Sequence, residues 1–419
     1  MSDKIMAGFS VSFPAVSDPK FIEPEQLERW FQRLDQLLFH YRAFWQLQPF
    51  HCCEMAWRDS HPQLCELLDA LTDEEILELE TDHIALINLL SPWLEDAKAL
   101  AELAELPALE ARELTLPPRT DYGIPGRKWQ QILAFAGTVP QSQKPLLEWC
   151  AGKGHLGRVF ALADQRSITS LEWQQSLCKD GEELAKRAHV DMQFVHCDAF
   201  SPQAAGYIAS DNHAVALHAC GDLHTSLMRH WSLQQGGRIS VSPCCYHKLQ
   251  GEAYQPMSIS AQQGQLRLNK SDLKLPLQET VTAGAGVQRH RQTELLWRMA
   301  FDEWQRDVRG VDEYLPVPNV RKSLLTESFT EFVRWAAECK QLPVPTTLEE
   351  DRWLALGQQR LENVKRMELV MHLFRRPLEL WLVLDRALYL QEQGARVALG
   401  EFCEKHLTPR NIFIHAERI

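Results

Sequence analysis

Pro243, Cys244, Cys245, Tyr246 and His247 place two thiols, a phenol and an imidazole in five consecutive positions. Such residues could do three kinds of chemistry. A thiolate of Cys244 or Cys245 could add to a pyrimidine ring carbon and activate its neighbour, with the Cys220 thiol nearby. Cys220, Cys244, Cys245 and His247 could instead ligate zinc, although adjacent cysteines suit one tetrahedral ion poorly. In the third reading the segment shapes a substrate pocket, and His247 or Tyr246 orients or deprotonates a hydroxyl or amine. The reading adopted is pocket shaping and acid–base work, with no metal. The candidate catalytic residues are thus His247, Cys244, Cys245 and Tyr246.

A second chemical stretch runs from Leu146 to Gly157. Leu146, Leu147, Glu148 and Trp149 form an apolar run with one acid, followed by Cys150, Ala151, Gly152, Lys153, Gly154, His155, Leu156 and Gly157. This is how a parallel strand hands over to a helix whose N-terminus faces a ligand. Gly152, Gly154 and Gly157 also have the literal G-x-G-x-x-G spacing of a dinucleotide loop. A pyrophosphate would meet repulsion from a carboxylate at Glu148 in the loop mouth, whereas a phosphate-free cofactor would not.

The elements around these residues alternate. Leu156–Asp164 suits a helix and Ser167–Leu171 a strand ending at Glu172. Gln174–Ala188 suits a helix and Met192–His196 a strand ending at Asp198. A short helix over Gln203–Ala209 precedes a strand at His213–Leu217, which ends in His218, Ala219, Cys220 and Gly221. Leu223–Leu233 is helical, and Arg238–Val241 is the strand that leads into the cysteine segment. Such alternation predicts a doubly wound, mostly parallel α/β sheet with its ligand at the strand C-termini. Lys128–Ala136 reads as a helix before it. Upstream, Leu27, Trp30, Phe31, Leu34, Leu37, Leu38 and Tyr41 recur at helical steps. Downstream, helical segments are interrupted at Pro377, and Ile412, Phe413 and Ile414 read as a final edge strand. The expected domains are an acidic helical accessory domain at 1–118, a core at 119–260, and helical additions with a last strand at 261–419.

With these motifs in place, the chain resembles class I S-adenosylmethionine-dependent methyltransferases. More narrowly, it resembles methyltransferase-like proteins marked by the segments seen here at Cys150–Leu156, His218–Gly221 and Pro243–His247. The run Leu384, Asp385, Arg386, Ala387, Leu388, Tyr389 and Leu390, and then Thr408, Pro409, Arg410 and Asn411, agree with the same group. The resemblance implies a Rossmann-like methyltransferase sheet and S-adenosyl-L-methionine as cofactor. It implies that Glu148 lies near the methionine end, that Glu172 takes the ribose hydroxyls, and that Asp198, with Ala199, lies near the adenine amine. Cys150, Ala151, Gly152, Lys153, Gly154, His218 and Cys220 complete the implied cofactor set. A related cysteine- and histidine-rich segment occurs in tRNA ribose 2′-O-methylases, and paired cysteines serve RNA cytosine-C5 methylases, so RNA is the first acceptor expected. A non-catalytic cofactor-binding scaffold and an NAD-dependent oxidoreductase are the alternatives.

Composition bounds these readings. The 419 residues are 45% hydrophobic and 24% charged, ordinary for a globular protein. Residues 1–118 carry 22 acidic and 8 basic side chains, and the rest of the chain is then +2 against the total of −12. That balance lacks the basic excess of a dedicated nucleic-acid binder, and the acidic helices suggest a protein partner. No apolar run approaches the ~20 residues of a membrane span. Eleven scattered cysteines fit a reducing compartment, and the expected location is cytoplasmic.

Overall fold

The computed structural model describes residues 20–278 and 285–418, with side chains from residue 290 in the second stretch. Their backbone forms two compact units, each assembled from separated segments. One gathers 20–24, Leu106–Cys244 and 389–418; the other gathers Glu25–Glu105 and Cys245–Leu388. The units therefore cut the chain differently from consecutive segments at 1–118, 119–260 and 261–419. Residues 106–118 show why. Leu109 donates its amide to Glu401 at 2.8 Å and Arg112 to Gly137 at 3.0 Å, and Arg112 pairs with buried Asp164 at 2.7 Å. Charge and polarity in this stretch resemble the helices before it, but its backbone bonds belong to the sheet unit.

The first unit is a seven-stranded α/β sheet. Its strands are β1 Leu146–Trp149, β2 Ile168–Glu172, β3 Met192–His196, β4 His213–Cys220, β5 Arg238–Cys244, β6 Ala395–Glu401 and β7 Ile412–Arg418. They lie in the order β3-β2-β1-β4-β5-β7-β6, parallel except that β7 is antiparallel to both neighbours. The helices His155–Asp164, Gln175–Ala188 and Asp222–Leu233 cross between parallel strands. Such strands are covered on both faces, which is why β1 is a continuous buried run. Strand order reverses at β1: β2 and β3 extend to one side and β4 pairs on the other. That switch point opens a crevice at the C-terminal ends of β1 and β4.

The last strand differs from the sequence expectation. Ile412–Arg418 lies inside the sheet, between β5 and β6, and is not an edge. The edge is β6, a short run after Gly394 that the sequence reading leaves unassigned. Isolated bridges from Ile22 to Val397 and from Ala108 to Glu401 cover part of it, which blunts an otherwise exposed edge.

A buried chain of polar side chains crosses β4, β5 and β7. Ser240 Oγ lies 2.9 Å from His213 Nε2 and 2.8 Å from His415 Nδ1, and all three residues are fully buried. The single hydroxyl proton serves one imidazole while the other ring donates to the oxygen. If Ser240 donates to His415 Nδ1, the His415 Nε2–H faces the Glu417 carboxylate, 3.9 Å away. Burial pushes both imidazoles below their ordinary range. The unfolded chain then binds more protons than the native one below about pH 6.5, so stability falls as the pH drops, by about 1.4 kcal/mol per pH unit for each ring. His155 and His372, pushed down to about 4 and about 2 by burial, act in the same direction. Chemical denaturation at about pH 7 and about pH 5.5 tests this. Equal unfolding free energies at the two values would contradict it.

The second unit is helical. The helices Ala285–Arg309 and Glu350–His372 approach so closely that a Cβ on Gly357 would lie 2.6 Å from the Ala300 backbone nitrogen. Trp297, Phe301, Phe329 and Phe332 pack into one core there. The interruption near Pro377 falls before it, since the next helix is Arg375–Glu392. Proline sits in its first turn, where a missing N–H costs nothing. Among the described residues, no helix is long and apolar enough to cross a membrane.

Candidate cofactor site

The loop after β1 is built from left-handed backbone. Cys150, Gly152 and Gly154 have φ of 56°, 59° and 66°. The glycines adopt this at no steric cost, while Cys150 is an uncommon non-glycine case. Ala151 donates to the Leu171 carbonyl at 2.8 Å, and Gly154 to the Ala151 carbonyl at 3.0 Å. A Cβ on Gly152 would have no atom within 4 Å, whereas one on Gly154 would lie 2.4 Å from the Phe194 ring. Gly152 therefore leaves open space beside the loop and Gly154 permits packing. Gly157 also serves packing, because its Cβ would sit 2.5 Å from Glu148 Oε2.

Glu172, at the end of β2, is tied to this loop. Its Oε2 accepts from the Gly152 amide and its Oε1 from the Gln174 amide, both at 2.8 Å. Each oxygen keeps further lone-pair capacity for a ligand. Asp198 follows β3 and accepts from the Phe200 amide at 2.9 Å. Ala199 is buried, and its carbonyl accepts from Ser226 Oγ at 2.8 Å. Two aromatic residues beside these acids were missed in the sequence reading. Trp173 is 64% exposed and Phe200 38% exposed. Their position directly after the acidic strand ends is the signal that could have found them.

Glu148 is placed differently from expectation. It is 4% exposed, accepts from Ser170 Oγ at 2.8 Å, and lies against the start of the helix at Gly157. It is the third residue of a short strand, so its side chain points under the helix and not into the loop mouth. Burial pushes its carboxyl up to about 7. Repulsion of a pyrophosphate by Glu148 therefore carries no weight in choosing the cofactor. Lys153 reaches Asp180 at 2.8 Å, with both side chains about half exposed.

The other side of the crevice is the end of β4. His218 has φ of 67°, and its Nε2 lies 3.1 Å from Gln131 Oε1. Gln131 donates to the Leu407 carbonyl at 3.0 Å and so braces the ring. Gln131 is a positioning residue that the sequence did not reveal. Cys220 Sγ lies 3.7 Å from Cys244 Sγ, and Gly221 donates to the Cys244 carbonyl at 2.9 Å. Cys150 lies near Glu172, Cys220 and Asp198, and burial first, then these neighbours, push its thiol up to about 12. Its exposure is intermediate, like that of Cys220.

Of the four residues weighed as zinc ligands, Cys220, Cys244 and Cys245 have their sulfurs within 4.8 Å of one another, and His247 is not in that group. Cys245 has φ of 49°, and its carbonyl accepts from Lys248 at 2.9 Å in a turn. Tyr246 is fully buried, its hydroxyl donates to Glu379 at 3.5 Å, and the Arg386 guanidinium lies 5.1 Å from its ring centre. Glu379 in turn pairs with Arg376 at 2.6 Å. Tyr246 is thus an anchor of the helical core and not an acid–base group. His247 is partly exposed, and burial first among the causes holds its imidazole below the ordinary range. It is neutral near pH 7 and able to accept a proton.

With this geometry in view, residues 127–252 match a family model described as a methyltransferase domain. Among solved structures, the chain is similar to a chain of the fibrillarin/NOP5P complex, at 15% identity and a TM-score of 0.24, over 27% of this chain and 58% of that one. It is similar to TrmN from Thermus thermophilus at 16% identity and a TM-score of 0.24, over 30% of this chain and 43% of that one. It is also similar to geranyl diphosphate methyltransferase in complex with GPP and sinefungin, at 12% identity and a TM-score of 0.24, over 32% and 54%. The chain spans less than two thirds of each of these. The cofactor that goes with this match is S-adenosylmethionine.

Proposed function

We propose that this protein transfers a methyl group from S-adenosylmethionine to RNA. The observation that carries the cofactor assignment is the Glu172 carboxylate, held by the Gly152 and Gln174 amides beside the switch point. In this reading Glu172 holds the ribose hydroxyls, and Asp198 and Ala199 meet the adenine with Trp173 and Phe200 alongside. The loop Cys150–Gly154 borders the methionyl part, while His218 and Cys220 border the acceptor. When bound, the cofactor supplies an electrophilic methyl group on a sulfonium. The chain's residues then orient the acceptor in line and keep water out. RNA as acceptor rests on the likeness of Pro243–His247 to the segment of tRNA ribose 2′-O-methylases. Arg376 is buried and paired with Glu379, and has no part in this reading.

The test incubates the protein with methyl-labelled cofactor and total RNA, protein or small-molecule fractions. Label is expected in RNA, and nucleoside mass spectrometry of cells with and without the protein should identify the modified position. Label in another fraction would refute the RNA acceptor. Tight cofactor binding with no transfer into any fraction would favour a scaffold.

A further inference from the structure

We propose that Cys220 and Cys244 form a reversible oxidation site that closes to a disulfide under a hydroperoxide. The two residues are paired in register at the C-terminal ends of β4 and β5, and their sulfurs stand 3.7 Å apart. Neighbouring strands run about 4.8 Å apart, which lies within the Cα separation that a disulfide spans. Closing to an S–S bond of about 2.0 Å requires the sulfurs to approach by about 1.7 Å. The backbone at this point already departs from regular pairing. The register shifts between Leu217 and Cys220, and His218 takes the left-handed conformation. That irregularity provides slack which a continuous ladder would lack.

The two thiols differ in access, which sets the order of events. Cys220 is partly exposed and Cys244 is 3% exposed. The Cys220 thiolate attacks a peroxide oxygen, the O–O bond breaks, and the departing hydroxide leaves as water after taking a proton. Cys220 is then a sulfenic acid. Cys244 sulfur attacks the Cys220 sulfur, the S–O bond breaks, and the oxygen leaves as a second water. In sum two thiols and one hydrogen peroxide give one disulfide and two waters: each sulfur is oxidised by one electron and the peroxide takes up both. Cys150 has the same intermediate exposure as Cys220, and the peptide map below reports whether it enters a link. The consequence rests on the function proposed above. A bond across β4 and β5 removes both thiols from the acceptor side of the crevice, so the oxidised protein is the inactive form.

The experiment treats the full-length protein with hydrogen peroxide, blocks remaining thiols and maps the peptides without reduction. Fragmentation should join Cys220 to Cys244, distinguished from its neighbour Cys245, and dithiothreitol should reverse the link. The same link is expected in Cys339→Ser, which removes an exposed cysteine, and none in Cys220→Ser or Cys244→Ser. Cys220 and Cys244 both recovered as blocked thiols, a link through Cys245 instead, or a bound zinc equivalent shielding the pair would overturn the proposal. Label transfer is measured in parallel on reduced and oxidised protein, with loss on oxidation and recovery with dithiothreitol expected. Full transfer by the linked protein would overturn the inactivation. A mapped disulfide in a protein that transfers no label when reduced would refute methylation and leave the oxidation site standing.

Discussion

Replacing Glu172 with alanine is expected to weaken S-adenosylmethionine binding by roughly 100-fold, about 3 kcal/mol. Two effects combine. The variant loses the acceptor for the ligand's hydroxyls, and it also leaves the Gly152 and Gln174 amides without the carboxylate that fixes them. Charge-assisted bonds of this kind are stronger than neutral ones. Glu172→Gln separates the two effects only in part: its oxygen can still accept from one amide, but its NH2 group faces the other donor. It should therefore fall between the native protein and Glu172→Ala. Isothermal titration with the cofactor or its demethylated product measures both. Unaltered affinity in a folded Glu172→Ala protein would remove the residue from the site.

The largest stability effect is expected at Asp385, in the helical unit. Its carboxylate is fully buried and accepts from the Tyr254 hydroxyl, the Met257 amide at 2.9 Å, and the Ser258 amide and hydroxyl, each at 2.7 Å. The Tyr254 oxygen also accepts from Arg386 at 3.0 Å, and Arg386 donates to the Leu382 carbonyl at 2.6 Å. Asp385→Ala leaves four donors without this acceptor in a region closed to water. The expected cost is about 4 kcal/mol, a large part of the roughly 5–15 kcal/mol that holds a domain folded. Asp385→Asn keeps one acceptor oxygen and should cost less. Urea denaturation of the three proteins gives the order; a midpoint for Asp385→Ala equal to the native one would show that the donors find other partners.

Asp385 and Arg386 belong to a run that marks the resemblance to methyltransferase-like proteins. Here both are buried among helices of the second unit, and their hydrogen bonds hold Tyr254, Met257 and Ser258 in place. Tyr246 is the same kind of case. A tyrosine between cysteines and a histidine is a reasonable acid–base candidate until its hydroxyl is found on Glu379 inside the core.

Much of the sheet was legible because its signals are local. Parallel strands are continuous apolar runs, their crossings have helical period, and glycines mark the turn after β1. Met192–His196 has the predicted bounds, and β2, β4 and β5 begin within one residue of them. The pairing partner of a terminal strand has no such local signature. Ile412–Ile414 reads as an edge from its own residues, yet this strand lies between β5 and β6, a short strand that the sequence reading leaves unassigned. Unit boundaries are non-local for the same reason, since residues 106–118 join the sheet through backbone bonds that composition does not record.

The sequence by itself determined the α/β class, the glycine loop, and the acids at the ends of β2 and β3, because strand, turn and strand-end chemistry follow from neighbouring residues. Only the tertiary structure decided which way those groups face. Glu148 turns beneath a helix because it is the third residue of a short strand, while Glu172 turns toward the loop and is held there by two amides. Cys220 and Cys244, far apart in the chain, meet because a register shift after Leu217 pairs them at the ends of β4 and β5. A side chain's direction is fixed by strand parity and packing partners, and those come from distant parts of the chain.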